Sequence, residues 1–226
     1  DRIEDSRTGK ILIPSFHTEI NDSHVKTAGA IAEVVGESLW GSLPVVETLE
    51  PHNTDTAQML LDVNWRPALS VIGAGGLPPV ESAGNVLRTH TDLALSLRIP
   101  PGVNSQKAMI ELTEILERDP PFGAEIKFEA HPPADGFRAP PLPPNVAEEL
   151  ERASSSLTGK PPHTTWVGGT IPFMAMMQSK YPDSAFLCTG AAGPGNNAHG
   201  PDEKLHIPTA KRLTAAIAAV SWSVGN

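Results

Sequence analysis

The 226-residue sequence holds a single cysteine, Cys188, so no intrachain disulfide can form and the fold does not depend on one. No apolar stretch approaches the roughly 18–20 residues needed to cross a bilayer. Positive charge is scarce: 17 Lys and Arg against 26 Asp and Glu give a formal net charge of -9 at pH 7. With a pI near 5.3, that balance argues against nucleic acid or an anionic membrane as a partner. The chain opens Asp1-Arg2-Ile3-Glu4-Asp5, with neither an initiator Met nor a signal-peptide pattern. That is the expectation for a fragment or a processed product, any targeting segment of which would lie upstream. The native compartment is therefore not readable from these residues, and the cytoplasm is the default expectation. No internal repeat and no low-complexity tail is present.

What the chain does have is proline and glycine. Pro (23) and Gly (19) make up nearly a fifth of the residues, and they cluster. Residues 11–16 read as a short extended segment after the Thr8-Gly9-Lys10 turn. The pattern predicts helices over Val25 to Leu39 and Thr54 to Val63. Ala68 to Gly73 reads as a strand running into the turn-rich Gly73-Ala74-Gly75-Gly76-Leu77-Pro78-Pro79. Asn85 to Arg88 and Leu93 to Ile99 look like further strands. The latter places Leu93, Leu95, Leu97 and Ile99 on one face, with Ala94, Ser96 and Arg98 on the other. Ser105 to Arg118 is the best helix, with Ser105 as its cap, an apolar face of Ala108, Ile110, Leu112, Ile115 and Leu116, and Pro120-Pro121 as its stop. Glu125 to Ala130 reads as one more strand.

Residues 131–145 form a Pro-rich crossing and the candidate domain boundary. Beyond it the pattern alternates: a helix over Val146 to Leu157, another over Ile171 to Ser179, a buried strand over Ser184 to Thr189, a glycine-rich loop, and a final helix from about Thr209 to Trp222. Alternation of this kind marks a parallel α/β layer. The expected architecture is therefore an α+β domain, residues 1–130, with an antiparallel sheet and helices on one face. Part of an α/β domain follows over residues 131–226.

The sharpest segment for chemistry is Thr189 to Glu203, a strand running into a flexible loop with one imidazole, His199, followed by acidic residues and a helix. In α/β sheets ligands bind at the carboxyl ends of strands, where this loop would sit. His199 is a candidate metal ligand. The alternative is a solvated loop histidine.

The run from Phe186 through Gly193-Pro194-Gly195-Asn196-Asn197-Ala198-His199-Gly200-Pro201-Asp202-Glu203 to Leu205-His206-Ile207-Pro208 resembles the last motif of carnosinase-type, co-catalytic zinc metallopeptidases, including their carboxypeptidase relatives. Val167-Gly168-Gly169-Thr170-Ile171-Pro172 is similar to that family's glycine-rich motif at a helix N-terminus near the substrate, where backbone N–H groups meet an anion. Ile11 to Pro14 looks like the start of the family's lid. Pro67 to Gly73 looks like the lid strand before its Asn/Thr-Val-Ile-Pro motif, and Asn85-Val86-Leu87-Arg88 matches that motif with Arg88 in place of Pro. Ser96-Leu97-Arg98-Ile99-Pro100 resembles the Ser-Xaa-Arg at the end of a lid strand.

The resemblance implies roles for these residues. His199 would be a zinc ligand. Arg98 would hold the substrate's C-terminal carboxylate, a task suited to a planar fork of donors. Asn85 would reach a neighbouring subunit's active site, His131 would contact substrate at the hinge, and Gly169 would line the substrate. As residues alone, Asn85 reads equally as a turn residue after Gly84, His131 as linker, and Val167 to Pro172 as a plain turn before a helix.

One triplet and one pair mimic the family's metal site without its context. His90-Thr91-Asp92 falls between two expected lid strands, and Glu148-Glu149 lies on a polar helix expected to be solvated. The remaining ligands and the catalytic carboxylate base would lie upstream, so no catalytic residue is expected within this chain. The function implied is part of a zinc-dependent exopeptidase or dipeptidase that cleaves a peptide or N-acyl amino acid bond next to a free C-terminal carboxylate. Two zinc ions would be held in the full-length protein, and weakly or not at all by this chain, which by itself is expected to be inactive. The resemblance also implies a homodimer through the lid. The alternative is a non-catalytic dimerisation or binding module derived from the same family.

Overall fold

Two separate apolar cores organise the chain, one beneath a small sheet and one between helices. The computed structural model describes residues 2–41, 43, 45–166, 171–193 and 195–225. The first core gathers Ile3, Ile11, Ile13, Phe16, Ile99, Val103, Ala108 and Leu112. The second gathers Ala28, Ile31, Leu60, Leu61 and Trp65.

The second core joins α1 (Asp22–Val35) to α3 (Thr56–Trp65), with the single turn α2 (Ser38–Gly41) between them. Along α1 the buried residues are His24, Ala28 and Ile31, one stripe at helical spacing. Asn21 caps α1: its Oδ1 accepts from the Ser23 and His24 N–H groups, while His24 Nδ1 accepts the Asn21 N–H at 3.3 Å. This is a capping box in which an imidazole replaces the usual glutamate. Asp55 caps α3 in the ordinary way, accepting from Ala57 at 2.9 Å and Gln58 at 3.2 Å.

The first core sits under a two-stranded antiparallel sheet, β1 (Ala68–Gly75) and β2 (Asp92–Arg98). The register pairs Ala68 with Arg98, Leu69 with Leu97 and Val71 with Leu95, then slips at a bulge between Val71 and Gly73. Leu69, Leu95 and Leu97 pack onto the core, and Ile99 lies within it. Leu93 stays 57% exposed, because the cover supplied by α4 (Ser105–Glu117) and the N-terminal segment reaches only the Arg98 end. On α4, Ala108 and Leu112 are buried and Ile115 and Leu116 pack on the core, whereas Ile110 is turned outward at 56% exposure. Asn104, not Ser105, caps this helix by accepting the Lys107 N–H at 2.8 Å. The Arg2 guanidinium closes the other end, donating to the carbonyls of Ile115, Arg118 and Asp119.

Three expected strands are absent from the ladders of the described residues. Asn85 to Arg88 lies in an exposed loop beyond the Gly75–Asp92 end of the sheet. Glu125 to Ala130 has no regular secondary structure, with Phe128 against the first core, Lys127 and Glu129 paired, and Ile126 42% exposed. It joins no ladder. Ser184 to Thr189 is exposed except at Phe186, whose ring meets Phe137 with centroids 5.2 Å apart. A parallel strand is stable when neighbours cover both edges and both faces, and among the described residues no strand pairs with this one.

The C-terminal stretch contributes helices: α5 (Pro144–Thr158), α6 (Pro172–Lys180) and α7 (Ile207–Gly225). Pro144 pre-sets the first turn of α5, and Gly159 ends it in the left-handed region. Helices α5 and α7 pack together, with Val146, Ala153 and Val220 buried.

Candidate functional site

The structure distributes the candidate residues along the molecule. Arg98 ends β2 opposite Ala68 and is exposed. No carboxylate pairs with it among the described residues. Its guanidinium is thus presented to solvent beside Ile99 and Pro100, both buried, which anchor the backbone that carries it.

Asn85 sits in a bend of the loop joining β1 to β2, also exposed. It lies past the Gly75–Asp92 pair, at the other end of the ladder from Arg98. Six residue steps separate Asp92 from Arg98, about 20 Å of strand at roughly 3.4 Å per residue. The two candidates therefore belong to opposite ends of one hairpin.

His131 is exposed at the start of the Pro-rich crossing, where its charge acts on Glu129. The Glu129 carboxyl is held below its ordinary range, chiefly by a hydrogen bond and ion pair with Lys127. Gly169, with Val167, Gly168 and Thr170, lies outside the described residues. The helix that follows does start as expected: Ile171 is the N-cap of α6, Pro172 its first residue, and no side chain caps its first N–H groups.

His199 is held by an unusual loop. Asn197, His199 and Asp202 all have positive φ, at 51°, 63° and 57°, a backbone region that non-glycine residues seldom adopt. The loop is pinned by backbone bonds from Gly200 N–H to the Asn197 carbonyl at 2.9 Å and from Lys204 N–H to the Asn196 carbonyl at 2.8 Å. The Asn197 side-chain amide donates to the Pro201 carbonyl. A Cβ at Gly200 would fall within 2.7–2.9 Å of the Asn197 side chain, so a larger residue there would displace the amide that bonds to Pro201. The imidazole of His199 is exposed.

A catalytic zinc site takes about three protein ligands and an open position. Among the described residues no three His, Cys, Asp or Glu side chains are grouped to hold a metal ion. His199 and its described neighbours do not make a complete zinc site by themselves. Neither mimic supplies one: His90 and Asp92 form a loose exposed pair at 3.7 Å, and Glu149 is engaged by Arg152 at the next turn of α5. The Glu149 side chain is only 13% exposed under that guanidinium, so it does not lie on a solvated face as its sequence suggests.

Sequence reasoning missed the contacts that tie the Pro-rich crossing to the rest. Asp135 accepts the Ser105 N–H at 2.8 Å. Gly136 runs against Pro100 and Pro101 so closely that a Cβ would meet the Pro101 backbone at 2.9 Å. The Arg138 guanidinium lies 5.0 Å from the centre of the Trp65 ring. The usable signal was small: the Asp135-Gly136 turn pair, and two of the chain's 4 Trp residues at otherwise polar segment ends.

The sequence matches Peptidase family M20/M25/M40 over residues 19–222. A cysteinylglycine-S-conjugate dipeptidase from Corynebacterium striatum is 28% identical over 145 residues, which cover 64% of this chain and 32% of that protein. The fold is shared with human carnosine dipeptidase 1, at TM-score 0.71 and 19% identity over 98% of this chain and 47% of that one. It is also shared with a metallo-carboxypeptidase from Sulfolobus solfataricus, at TM-score 0.70 and 16% identity over 99% and 50%, and with a di-peptidase from Saccharomyces cerevisiae, at 0.73 and 19% over 98% and 46%. The chain thus spans about half the length of these solved structures and a third of that curated relative. With a match that takes in nearly all of its residues and a fold common to three such peptidases, the chain belongs to Peptidase family M20/M25/M40.

Proposed function

We propose that this chain is the lid and the closing part of the catalytic domain of a di-zinc dipeptidase or related exopeptidase. On this reading the lid is residues 1–130, and residues 131–226 complete the catalytic domain. The observation that carries the proposal is the exposed Arg98, a guanidinium on a rigid strand end that no carboxylate of the described chain neutralises. Such a group binds a free C-terminal carboxylate through two parallel charge-assisted hydrogen bonds. The chemistry of its relatives supports the substrate class, since they are named for dipeptides and carboxypeptidase action.

Each candidate residue has a binding or positioning task on this reading. Arg98 and His131 orient the substrate, with Gly169 beside it ahead of α6. Asn85 reaches the active site of a second copy. His199, fixed in its strained loop, contributes one ligand to zinc, and the rest of the ligand set comes from sequence outside residues 1–226. Zinc would supply an activated water for hydrolysis.

The test compares the 226-residue chain with the protein that carries the remaining ligands. The longer protein should bind zinc and hydrolyse dipeptides, and His199→Ala in it should lower both metal content and rate. Tight stoichiometric zinc in the 226-residue chain would overturn the division of ligands. A longer protein that dimerises yet neither binds zinc nor hydrolyses peptides would instead be a binding module.

A further inference from the structure

Four side chains from four distant segments meet at the junction of α1, α3 and the crossing. His24 is buried at 8% exposure and Trp65 at 3%. Their rings are stacked, with centroids 3.8 Å apart and planes 20° from parallel. Trp166 meets both edge-on, 5.9 Å from His24 and 5.6 Å from Trp65. Arg138 closes the group over Trp65. Two of these residues belong to the helical layer of the second core, and the other two to the 131–166 stretch that connects it to α6.

The imidazole in this box is poised against protonation. Its Nδ1 accepts the Asn21 N–H in the α1 capping box, a bond that only the unprotonated nitrogen can make. Several ionisable groups lie on the packed elements: Asp22 and Lys26 on α1, Asp62 and Arg66 at α3, His163 before Trp166, and Asp135 and Arg138 in the crossing. Of these, the charge of Arg138 is the one that acts on the ring, and it repels a second cation. Burial and then Arg138 hold the imidazole below its ordinary range. A protonated ring would gain some attraction to the Trp65 face. It would lose the capping bond, its solvent and its distance from like charge.

We propose that His24, Trp65, Arg138 and Trp166 form an acid-released latch between the α1–α3 layer and the 131–166 stretch, with protonation of His24 as the trigger. The space for release exists. A cavity of about 380 Å³ adjoins the group, bordered by Trp166, Ile31, Val35, Leu60 and Asn64, so the indole is unpacked on that side. Trp166 ends the 131–166 stretch, and Arg138 lies in its Pro-rich part. Release therefore frees that stretch from the α1–α3 layer at both points together. The latch is independent of the peptidase reading, since it uses none of Asn85, Arg98, His131, Gly169 or His199.

The experiment titrates the intact chain between about pH 8 and pH 5, following the His24 Cε1–H by NMR and tryptophan emission in parallel. Both signals should move together, with a midpoint below that of an exposed histidine and a red shift of the indole emission. His24→Phe, which keeps a stacked ring that cannot titrate, should abolish the emission change. Arg138→Gln should move the midpoint upward. Emission that stays constant while His24 protonates would overturn the latch. So would an emission change that persists in a folded His24→Phe, or an unmoved midpoint in Arg138→Gln.

Discussion

Asp135 Oδ1 accepts the backbone N–H of Ser105 at 2.8 Å, across 30 residues of sequence, and so fastens the Pro-rich crossing to the first turn of α4. The bond satisfies an N–H that Asn104, occupied with Lys107, leaves over. Backbone and then side-chain hydrogen bonds from Ser105 hold the Asp135 carboxyl below its ordinary value. A depressed carboxylate adds stability that is complete above its unfolded pKa and is lost as pH falls through the lower folded one. Asp135→Ala should therefore destabilise the chain at neutral pH by about 1 kcal/mol. The difference from wild type should shrink as pH drops below the ordinary aspartate range. Chemical melts across pH check both; a gap that widens on acidification would refute the assignment.

Gly136 is the second fastening. A methyl group there meets the Pro101 Cα at 2.9 Å and the Pro101 nitrogen at 3.0 Å, both backbone atoms that cannot rotate away. Gly136→Ala should cost about 1–3 kcal/mol, the range for forced overpacking. Gly29→Ala is the matched control, since nothing lies within 4 Å of a Cβ there and it sits mid-helix in α1. That change should be neutral or stabilise by up to about 1 kcal/mol. Equal melts for the two variants would show that the crossing is not wedged against Pro100 and Pro101.

Arg98 offers a test by substrate. On the proposed reading, Arg98→Ala in a protein that carries the remaining ligands should remove a charge-assisted contact of order 1.5–3 kcal/mol. That is a loss of roughly 10- to 150-fold in kcat/KM for substrates with a free carboxylate, and little for the matching amides. Steady-state kinetics on an acid–amide pair decides it. Equal losses for both would exclude Arg98 as the carboxylate clamp.

How far the sequence reaches depends on whether a signal is local. The stripes of α1 and α4 involve residues within a few positions of one another, and periodicity finds such helices. Their starts are less legible: Asn21, Asp55 and Pro144 open helices expected to begin at Val25, Thr54 and Val146, and Asn104 rather than Ser105 caps α4. The leucine alternation in β2 likewise predicts its buried face, except at Leu93, where the cover ends. Pairing is not local. Asn85 to Arg88, Glu125 to Ala130 and Ser184 to Thr189 carry strand composition but have no ladder partner among the described residues. Of the site residues only His199 is suggested by physical pattern, a strand running into a glycine-rich loop; the others rest on family likeness. Nothing in the run around His199 announces three positive φ angles, and nothing near His24 announces Arg138, which is remote in sequence. Gly169 lies outside the described residues, so its part rests on sequence alone.

The last expectation is a homodimer through the lid. The loop between β1 and β2 presents Leu87 at 99% exposure and Val80 at 90%, with Leu77 and Val86 also largely open. Apolar side chains grouped on one projecting loop mark an interaction surface more often than a solvated one. A two-stranded sheet also leaves strand edges that a second copy can pair about a two-fold axis. The same contact would carry Asn85, in that loop, away from its own Arg98 and toward a partner's. Sedimentation of the longer protein at micromolar concentration should give a dimer, and Leu87→Glu should shift it toward monomer while leaving the melting temperature nearly unchanged. Activity should fall with dimer content, and Asn85→Ala should lower it without altering sedimentation. A monomer that turns over substrate at full rate would rule out both the dimer and the role of Asn85 in a second subunit.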